Sequence, residues 1–318
     1  MDSKEALLKE RRVYRSTSAY TDATPDLVVV GAASRDMTPD DPRGWRLGGS
    51  ATYCALTAAR LGLRVGCLIG VDAEAALADE LVLLETAGVA LERVGLARGP
   101  VFENLESGGH RRQRWLSRSD AIPTAALPDE WRHAPGWLLV PVAGEVGPDW
   151  AVVPGVGVAV GVGWQGLVRE FTDDGWVDRV DPRQSPLLDV AALVVASLDD
   201  LGGSVSLSEV MSLAPAAAIV LTAGKGGGLA VLYGKLSRYR AAVAPNPVDP
   251  TGAGDVFLAA LMTAWLLTGE LATARGLRFA AAAASCVVEG IGLSGVPTAV
   301  EAAARVRSAA RASADPSA

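Results

Sequence analysis

Strand-like and helix-like segments alternate along the first part of the chain, and this alternation restricts the fold more than any other feature. Two apolar strand-like runs, "DLVVVGAASRD" from Asp26 and "RVGCLIGVD" from Arg64, are each followed by a helix-like segment. These segments, "GGSATYCALTAARLG" and "AEAALADELVLLETAG", both end at a glycine. The alternation predicts an α/β fold of right-handed βαβ units, in which helices cover both faces of a parallel sheet.

The middle of the chain departs from this alternation. "GPVFENLESGGHRRQRWLSRSD", residues 99–120, contains two polar strand-like runs around "SGG", which predicts a hairpin. Together with the earlier "RGWRLGG", it predicts a small separate sheet. The alternation then resumes with five strand-like segments: "GWLLVPV", "AVVPGVGVAVGVGW", "VAALVVAS", "AAAIVLTAG" and "LAVLYG". Two alanine-rich helices, around 256–267 and 271–288, are predicted to close the fold.

Composition excludes several classes of protein. The 318 residues are 50% hydrophobic, and the formal net charge of −7 argues against a nucleic-acid binder. We interpret the one basic run, "HRRQR" at 110–114, as a solvated or substrate-facing strand. Three cysteines lie far apart, which predicts buried thiols in a reducing cytoplasm. Uninterrupted apolar runs stay below the ~18 residues of a membrane span. We therefore expect a soluble cytoplasmic protein that binds neither nucleic acid nor membranes.

The stretch "DPTGAGDVF" places small residues directly before a long apolar helix. The first amides of a helix are unpaired and carry partial positive charge, and Gly252, Ala253 and Gly254 leave them open to an anion. Asp255 in the first turn would lie beside a bound phosphoryl group, where a carboxylate can accept a proton from an attacking hydroxyl. Taken alone, the stretch is equally compatible with a helix-capping aspartate after a glycine turn.

Other phosphate-binding motifs are weaker. "GVGWQG" and "GIGLSG" match G-x-G-x-x-G, but 35 glycines in the chain make chance matches common. Neither stretch has the strand–turn–helix context of a dinucleotide site, so we interpret both as glycine-rich turns. The chain contains no G-x-x-x-x-G-K-[ST] loop.

Two motifs together resemble the ribokinase-like carbohydrate kinase family of the phosphofructokinase-B type. The family's D-T-x-G-A-G-D signature corresponds to residues 249–255, with Pro250 as an additional residue. Its N-terminal signature, a Gly-Gly pair before a small-residue helix ending Leu-Gly, corresponds to Gly48, Gly49 and residues 61–62. The resemblance covers about 26–297. It implies a doubly wound, mostly parallel sheet with a small β-sheet lid, and ATP-dependent phosphorylation of a hydroxyl group.

The resemblance also implies a domain organisation. Residues 1–24 are an expected N-terminal extension, and 25–310 are the kinase domain. Segments at about 35–48 and 98–118 form the lid, and 311–318 are a flexible tail. A homodimer through the lid is a candidate assembly.

Roles for individual residues follow from the same resemblance. Asp255 is the implied catalytic base, and the amides of Gly252, Ala253 and Gly254 form the anion hole. The implied acceptor contacts are Asp36, Gly48, Gly49, Tyr53 and Glu145. The implied nucleotide contacts are Thr222, Gly224, Gly227, Thr251 and Ser197. Asp200 is implied to hold Mg²⁺ through water, and Asp249 is a candidate ligand of a monovalent cation such as K⁺.

Three departures from the family pattern bear on the substrate and the metal. "SLDD" at 197–200 stands where the family commonly has N-x-x-E, which implies that metal handling is weakened or rearranged but not lost. Tyr53 replaces an asparagine that faces the sugar in many members, which argues against ribose. "WQGLVREFTDDGWV" resembles the myo-inositol kinase-like branch, and Gln165 and Arg169 are its candidate phosphate or substrate contacts.

Three functions stay open. The leading one is phosphorylation of a sugar or cyclic polyol, and a nucleoside kinase is the second because Tyr53 could pack on a base. A family member that binds its ligand without turnover is the third.

Overall fold

The computed structural model describes residues 24–107, 110–201 and 205–314. The predicted N-terminal extension lies outside the described residues except for Thr24. Fifteen strands lie in the described chain: β1 Leu27–Ala32, β2 Ser34–Met37, β3 Trp45–Gly48, β4 Val65–Val71, β5 Val89–Gly95, β6 Val101–Ser107, β7 His110–Ser117, β8 Gly136–Leu139, β9 Ala159–Gly163, β10 Arg169–Phe171, β11 Val177–Arg179, β12 Leu193–Ser197, β13 Ala218–Thr222, β14 Gly228–Leu232 and β15 Lys235–Tyr239. Eight α-helices accompany them there: α1 Ser50–Arg60, α2 Asp79–Thr86, α3 Pro186–Asp189, α4 Leu198–Leu201, α5 Leu207–Leu213, α6 Ala253–Thr268, α7 Ala274–Val287 and α8 Ala299–Ala314.

Nine strands form the main sheet in the order β15-β14-β13-β12-β9-β8-β1-β4-β5. The seven from β13 to β5 pair in parallel, and β14 and β15 add antiparallel strands at one edge. The mostly parallel sheet confirms the predicted fold class. The sequence did not predict β15, because this edge strand is largely exposed and lacks an apolar alternation.

Both faces of the main sheet are buried, as the doubly wound fold requires. Leu27 and Val29 of β1 pack in one core cluster with apolar residues of α1, α6 and α7. Val28 and Val30 point to the opposite face and pack in a second cluster with residues of α3, α4 and α5. Successive side chains of a strand alternate between faces, so an unbroken apolar strand indicates helices on both sides.

A small sheet of four strands, in the order β3-β2-β6-β7, lies apart from the main sheet. The β2–β3 and β6–β7 pairs are antiparallel, whereas β2 and β6 are parallel. It is the small sheet that the sequence predicted, and its strands occupy the two predicted lid segments, except that β2 begins one residue earlier, at Ser34. We call it the lid sheet, because it covers one side of the cleft described below.

The hairpin of β10 and β11 contacts the lid sheet, a connection that the sequence did not predict. The Trp115 amide donates a hydrogen bond to the Gly175 carbonyl at 3.0 Å, and the Trp115 indole donates one to the Thr172 carbonyl at 3.0 Å. The Trp115 ring meets the Phe171 ring edge-on, with 6.1 Å between centroids. The hairpin is therefore attached to the lid sheet.

The C-terminal part of the described chain contains three long helices instead of the two predicted. Helix α8 follows the two alanine-rich helices and continues to Ala314, so it includes the first residues of the predicted tail. Arg305 of α8 pairs with Glu289 at 2.6 Å and donates to the Ser285 hydroxyl at 3.0 Å. Across residues 24–107, 110–201 and 205–314, every helix is too short or too polar to span a bilayer.

Candidate active site

A cleft of about 1650 Å³ opens between the lid sheet and the carboxyl ends of the main-sheet strands. Ligands of open α/β sheets bind at this edge. Pockets for a single small ligand usually measure about 300–1,000 Å³. The cleft therefore has room for two ligands side by side.

Helix α6 begins at the floor of this cleft. Its N-cap, Gly252, has the left-handed φ of 79°, and residues 252–255 all line the cleft. A Cβ at Gly254 would meet no described atom within 4 Å, so this face of the helix start is open to a ligand. The Ala253 amide already donates to the Pro250 carbonyl at 3.2 Å. Ala253 is thus the predicted anion-hole residue whose amide already makes a hydrogen bond within the turn.

Asp255 is half-buried where helices α6 and α1 meet. The Ser50 side chain hydrogen-bonds its carboxylate, and the Cys54 thiol lies 3.5 Å from its backbone carbonyl oxygen. Burial raises the pKa of Asp255 to about 6. The Ser50 hydrogen bond and the positive charge of Arg169 lower this pKa, whereas the negative charges of Asp200 and Asp36 raise it further. A carboxylate with this pKa is mostly ionised at neutral pH, as a general base must be.

The lid sheet contributes Asp36 and Ser34 to the cleft. The Ser34 hydroxyl donates to one carboxylate oxygen of Asp36 at 2.9 Å. A side chain at Gly48 would overlap the other oxygen, and Gly48 is buried, outside the described lining of the cleft. Gly48 therefore makes room for Asp36 instead of contacting the acceptor as predicted. Gly49 does line the cleft, and its φ of 95° suits glycine.

Tyr53 differs from its predicted role. Its side chain is only 2% exposed, and its ring lies so close to Gly252 that a Cβ there would overlap it. The ring therefore supports the start of α6, and little of it is accessible from the cleft. A ring this buried does not offer a surface on which a sugar or a base could stack.

Glu145 is also placed differently from the prediction. Its side chain is fully buried and lies outside the described lining of the cleft. The carboxylate accepts hydrogen bonds from the amides of Ala32 at 3.3 Å, Val142 at 2.9 Å and Ala143 at 2.8 Å. Burial raises its pKa, and these amides oppose the increase. Glu145 thus joins the ends of β1 and β8 and does not contact a ligand in the cleft.

The other end of the cleft contains the loop that follows β13. Thr222, Gly224 and Gly227 line it, and the Thr222 hydroxyl donates to the Ala196 carbonyl at 3.3 Å. The Ala223 amide donates a hydrogen bond to the Gly227 carbonyl at 2.7 Å, and this bond closes the loop. Beside the loop lies an apolar surface formed by Tyr239, Val243, Val248, Ala281, Ala284 and Val288.

The residues predicted to handle cations lie at the same edge. Ser197 ends β12, and its hydroxyl accepts a hydrogen bond from the Asp199 amide at 3.2 Å. Asp200 is half-buried and lines the cleft. Burial raises the pKa of Asp200, whereas Arg169 and Arg179 lower it. Asp249 accepts the Thr251 amide at 2.9 Å. In the described chain, no three His, Cys, Asp or Glu side chains are grouped to hold a metal ion.

Comparison with known proteins agrees with this geometry. Residues 173–299, which include helix α6 and the loop after β13, match the pfkB family carbohydrate kinase model. Over these residues the chain is similar to pfkB carbohydrate kinases. It is 35% identical over 209 residues to an inositol 3-kinase of Zea mays, over 62% of this chain but only 51% of the relative. The match therefore spans about half the length of that protein.

Solved structures share the fold of this protein. One is a pyrophosphate-dependent kinase of the ribokinase family complexed with a pyrophosphate analogue and myo-inositol; it has a TM-score of 0.69 at 19% identity, over 87% of this chain and 99% of the other. Another is Arabidopsis thaliana ribokinase complexed with ribose and ATP, with a TM-score of 0.66 at 21% identity over 89% and 99%. Both likenesses confirm the ribokinase-like fold.

The cleft brings together most of the predicted site residues. Apart from Gly48 and Glu145, they all line it. Sequence reasoning missed Ser50, although it directly follows the Gly-Gly pair, at the start of α1. It also missed Asn104 and Gln113, which line the cleft from neighbouring lid strands and hydrogen-bond each other at 3.0 Å. Polar residues one strand apart carry no local signal that they face the same ligand.

Proposed function

We propose that the protein is an ATP-dependent kinase that phosphorylates a hydroxyl group of a small cyclic polyol or sugar, with an inositol-like acceptor as the leading candidate. The observation that carries the proposal is the position of Asp255. Its carboxylate lies in the first turn of α6, beside glycines that leave the helix start open, inside a cleft large enough for two ligands. A general base beside an anion-binding helix start is what phosphoryl transfer to a hydroxyl requires.

The proposed acceptor site lies between Asp36 and Asp255. A carboxylate accepts two hydrogen bonds well, so Asp36 suits two neighbouring hydroxyl groups of a polyol. Asp255 takes the proton of a third hydroxyl as that oxygen forms its bond to phosphorus. The similarity to the maize inositol 3-kinase supports a cyclic polyol. The Tyr53 ring is 2% exposed and packs against Gly252, which argues against a nucleoside whose base would stack on it.

The proposed donor site is the loop after β13 with its apolar neighbours. Val243 and Val248 are 76% and 60% exposed and line this end of the cleft. A purine would cover such a surface, whereas inorganic pyrophosphate has no apolar part to place there. This favours ATP over pyrophosphate, even though solved structures with this fold include pyrophosphate-dependent kinases. Thr222, Gly224, Gly227 and Thr251 are the proposed nucleotide contacts.

The residues near the donor site fit a metal held mainly by phosphate oxygens. Mg²⁺ keeps several waters and usually takes one or two carboxylates from the protein. Asp200, with Ser197 close by, would hold Mg²⁺ through water. When bound, Mg²⁺ neutralises charge on the donor phosphates. Asp249 is the proposed ligand of a monovalent cation such as K⁺.

A coupled assay tests the proposal by measuring ADP release with inositols, pentoses, hexoses and nucleosides, and phosphate transfer from pyrophosphate in parallel. We expect turnover with ATP and a cyclic polyol, and we expect Asp255→Asn to lose at least 100-fold in kcat while still binding ATP. Turnover with pyrophosphate alone would refute the donor assignment. ATP binding without phosphorylation of any acceptor would instead favour a ligand-binding protein without turnover.

The proposal includes a cytoplasmic enzyme and a dimer that forms through the lid sheet. Light scattering of the purified protein measures its mass directly. A monomer at micromolar concentration would exclude the dimer without affecting the proposed reaction.

A further inference from the structure

One face of the lid sheet lines the cleft with side chains from three adjacent strands. Asp36 of β2 is the register partner of Phe102 on β6. Two residues further along β6, Asn104 pairs directly with Gln113 of β7. Because the side chains of a strand alternate between faces, these four residues lie on the same face of the lid sheet. All four line the cleft, so this face is a wall that a bound ligand meets.

Asn104 and Gln113 form an amide pair on this wall. The Nε2 group of Gln113 donates a hydrogen bond to the Oδ1 oxygen of Asn104 at 3.0 Å. This bond uses a donor of one amide and the acceptor oxygen of the other. The pair therefore still has the amino group of Asn104 as a donor and the side-chain carbonyl of Gln113 as an acceptor.

The carbonyl oxygen of the Gln113 side chain has no hydrogen-bond partner among the described residues, although it is shielded from solvent. A buried carbonyl without a partner costs free energy, and most buried polar atoms are paired. Gln113 itself is half-buried and lines the cleft, so this oxygen belongs to the wall and not to the apolar core. The last torsion of a glutamine has broad preferences, so a modest rotation can present the oxygen to a ligand.

A hydroxyl group suits this amide pair better than an anion does. A hydroxyl can accept a hydrogen bond from Asn104 and donate one to Gln113 at the same time. An ionised phosphate or carboxylate only accepts hydrogen bonds, so it would leave the Gln113 carbonyl unpaired. Turning both amides over exchanges their donor and acceptor atoms, and a hydroxyl fits that arrangement equally well.

We propose that Asn104 and Gln113 are specificity-determining residues, which bind a hydroxyl group on the side of the acceptor ring that lies away from Asp36. This inference rests on the proposed kinase function and adds a second contact to its acceptor site. The pair lies about 7 Å beyond Asp36 along the strands, and about 5 and 10 Å across them. A six-membered ring with hydroxyls on opposite sides can reach both contacts, whereas a short acyclic alcohol cannot.

The test uses myo-inositol, D-glucose and the single-deoxy analogues of each as acceptors, at saturating ATP. It compares the wild type with Gln113→Met and Asn104→Leu, which keep the approximate size of each side chain and remove its amide, and with Asp36→Ala. Glu103→Gln is the matched control. Glu103 precedes Asn104 on β6, so it lies on the other face of the lid sheet, where it forms a partly exposed ion pair with Arg114 at 3.5 Å.

The expected result is a coupling between the amide pair and one ring hydroxyl that does not itself react. In the wild type, removing this hydroxyl should lower kcat/KM about 10–100-fold. Gln113→Met should lower kcat/KM by a similar factor for the intact ring, but by less than about threefold for that deoxy analogue, because the partner is already absent. Asn104→Leu should couple to the same hydroxyl, and Asp36→Ala to different ones. Glu103→Gln should match the wild type with every acceptor.

Three results would overturn the inference. One is that Gln113→Met lowers kcat/KM equally for the intact ring and all its deoxy analogues, or does not lower it. Another is that Gln113→Met and Asp36→Ala couple to the same hydroxyl. The third is that the wild type phosphorylates some other acceptor but neither ring. In each case ATP-dependent phosphorylation by the wild type leaves the proposed function standing. A wild type that phosphorylates no acceptor with ATP refutes the proposed function, and this inference with it.

Discussion

The ring of Tyr53 lies against Gly252, the left-handed residue from which helix α6 begins. A Cβ at position 252 would overlap the ring, and the φ of 79° is one that other residues adopt only at a cost. Tyr53 comes from α1, the helix that also provides Ser50 to Asp255. The two helix starts are therefore fitted to each other around the proposed catalytic base.

This fit predicts different results for the two glycines of the turn. Gly252→Ala should lower both stability and kcat, because the left-handed backbone alone costs about 1–2 kcal/mol and the new methyl group displaces the Tyr53 ring. Gly254→Ala should leave the unfolding temperature unchanged, since no described atom lies within 4 Å of its Cβ position. Thermal unfolding and steady-state kinetics of both variants test this. Equal losses of stability would contradict the packing of Tyr53 on Gly252.

The raised pKa of Asp255 predicts the acid limb of the pH–rate profile. Its carboxyl group accepts a proton only when ionised, so kcat/KM should fall about tenfold per pH unit below its pKa of about 6. Ser50→Ala removes a hydrogen bond that lowers this pKa, so it should move the limb to higher pH. A limb that stays in place in Ser50→Ala would show that another group controls it.

Substitutions at Asp36 and at Gly48 should weaken acceptor binding in the same way. Asp36→Ala should raise acceptor KM strongly and leave ATP affinity nearly unchanged, because the carboxylate lies on the lid side of the cleft. Gly48→Ala should have a similar effect with the carboxylate still present, since its methyl group would occupy the space of Asp36. Initial rates over a grid of ATP and acceptor concentrations separate the two constants. A loss of ATP affinity in either variant would move Asp36 out of the acceptor site.

Removing the Asp200 carboxylate should make the reaction need more Mg²⁺. Asp200→Ala should raise the Mg²⁺ concentration for half-maximal rate, with little change in acceptor KM, because Mg²⁺ accepts a water-mediated carboxylate readily. Asp200→Glu should be tolerated, since its extra methylene restores the usual reach. The measurement is a Mg²⁺ titration at saturating ATP. Titration curves that overlay the wild type for both variants would leave Asp200 as a partner of Arg169 and Arg179 only.

Local sequence determined the elements that depend on interactions between residues near each other in the chain. Unbroken apolar runs in β1, β4 and β12 indicate strands buried on both faces, and the glycines on either side of the first residue of α6 indicate a helix start that needs exposed amides. Asp255 could be selected because a carboxylate in the first turn of such a helix has a definite chemical use. These features depend on residues within about one turn or one strand of each other.

Tertiary structure alone decided which predicted residues face a ligand. Glu145 and Tyr53 were plausible ligand contacts by position, yet one is bound by the amides at two strand ends and the other by Gly252, about 200 residues away in the chain. The attachment of the β10–β11 hairpin to the lid sheet, which brings Arg169 beside Phe102, likewise joins segments that share no local pattern. Burial and hydrogen bonding of a polar side chain depend on distant backbone, and a one-dimensional pattern does not contain that information.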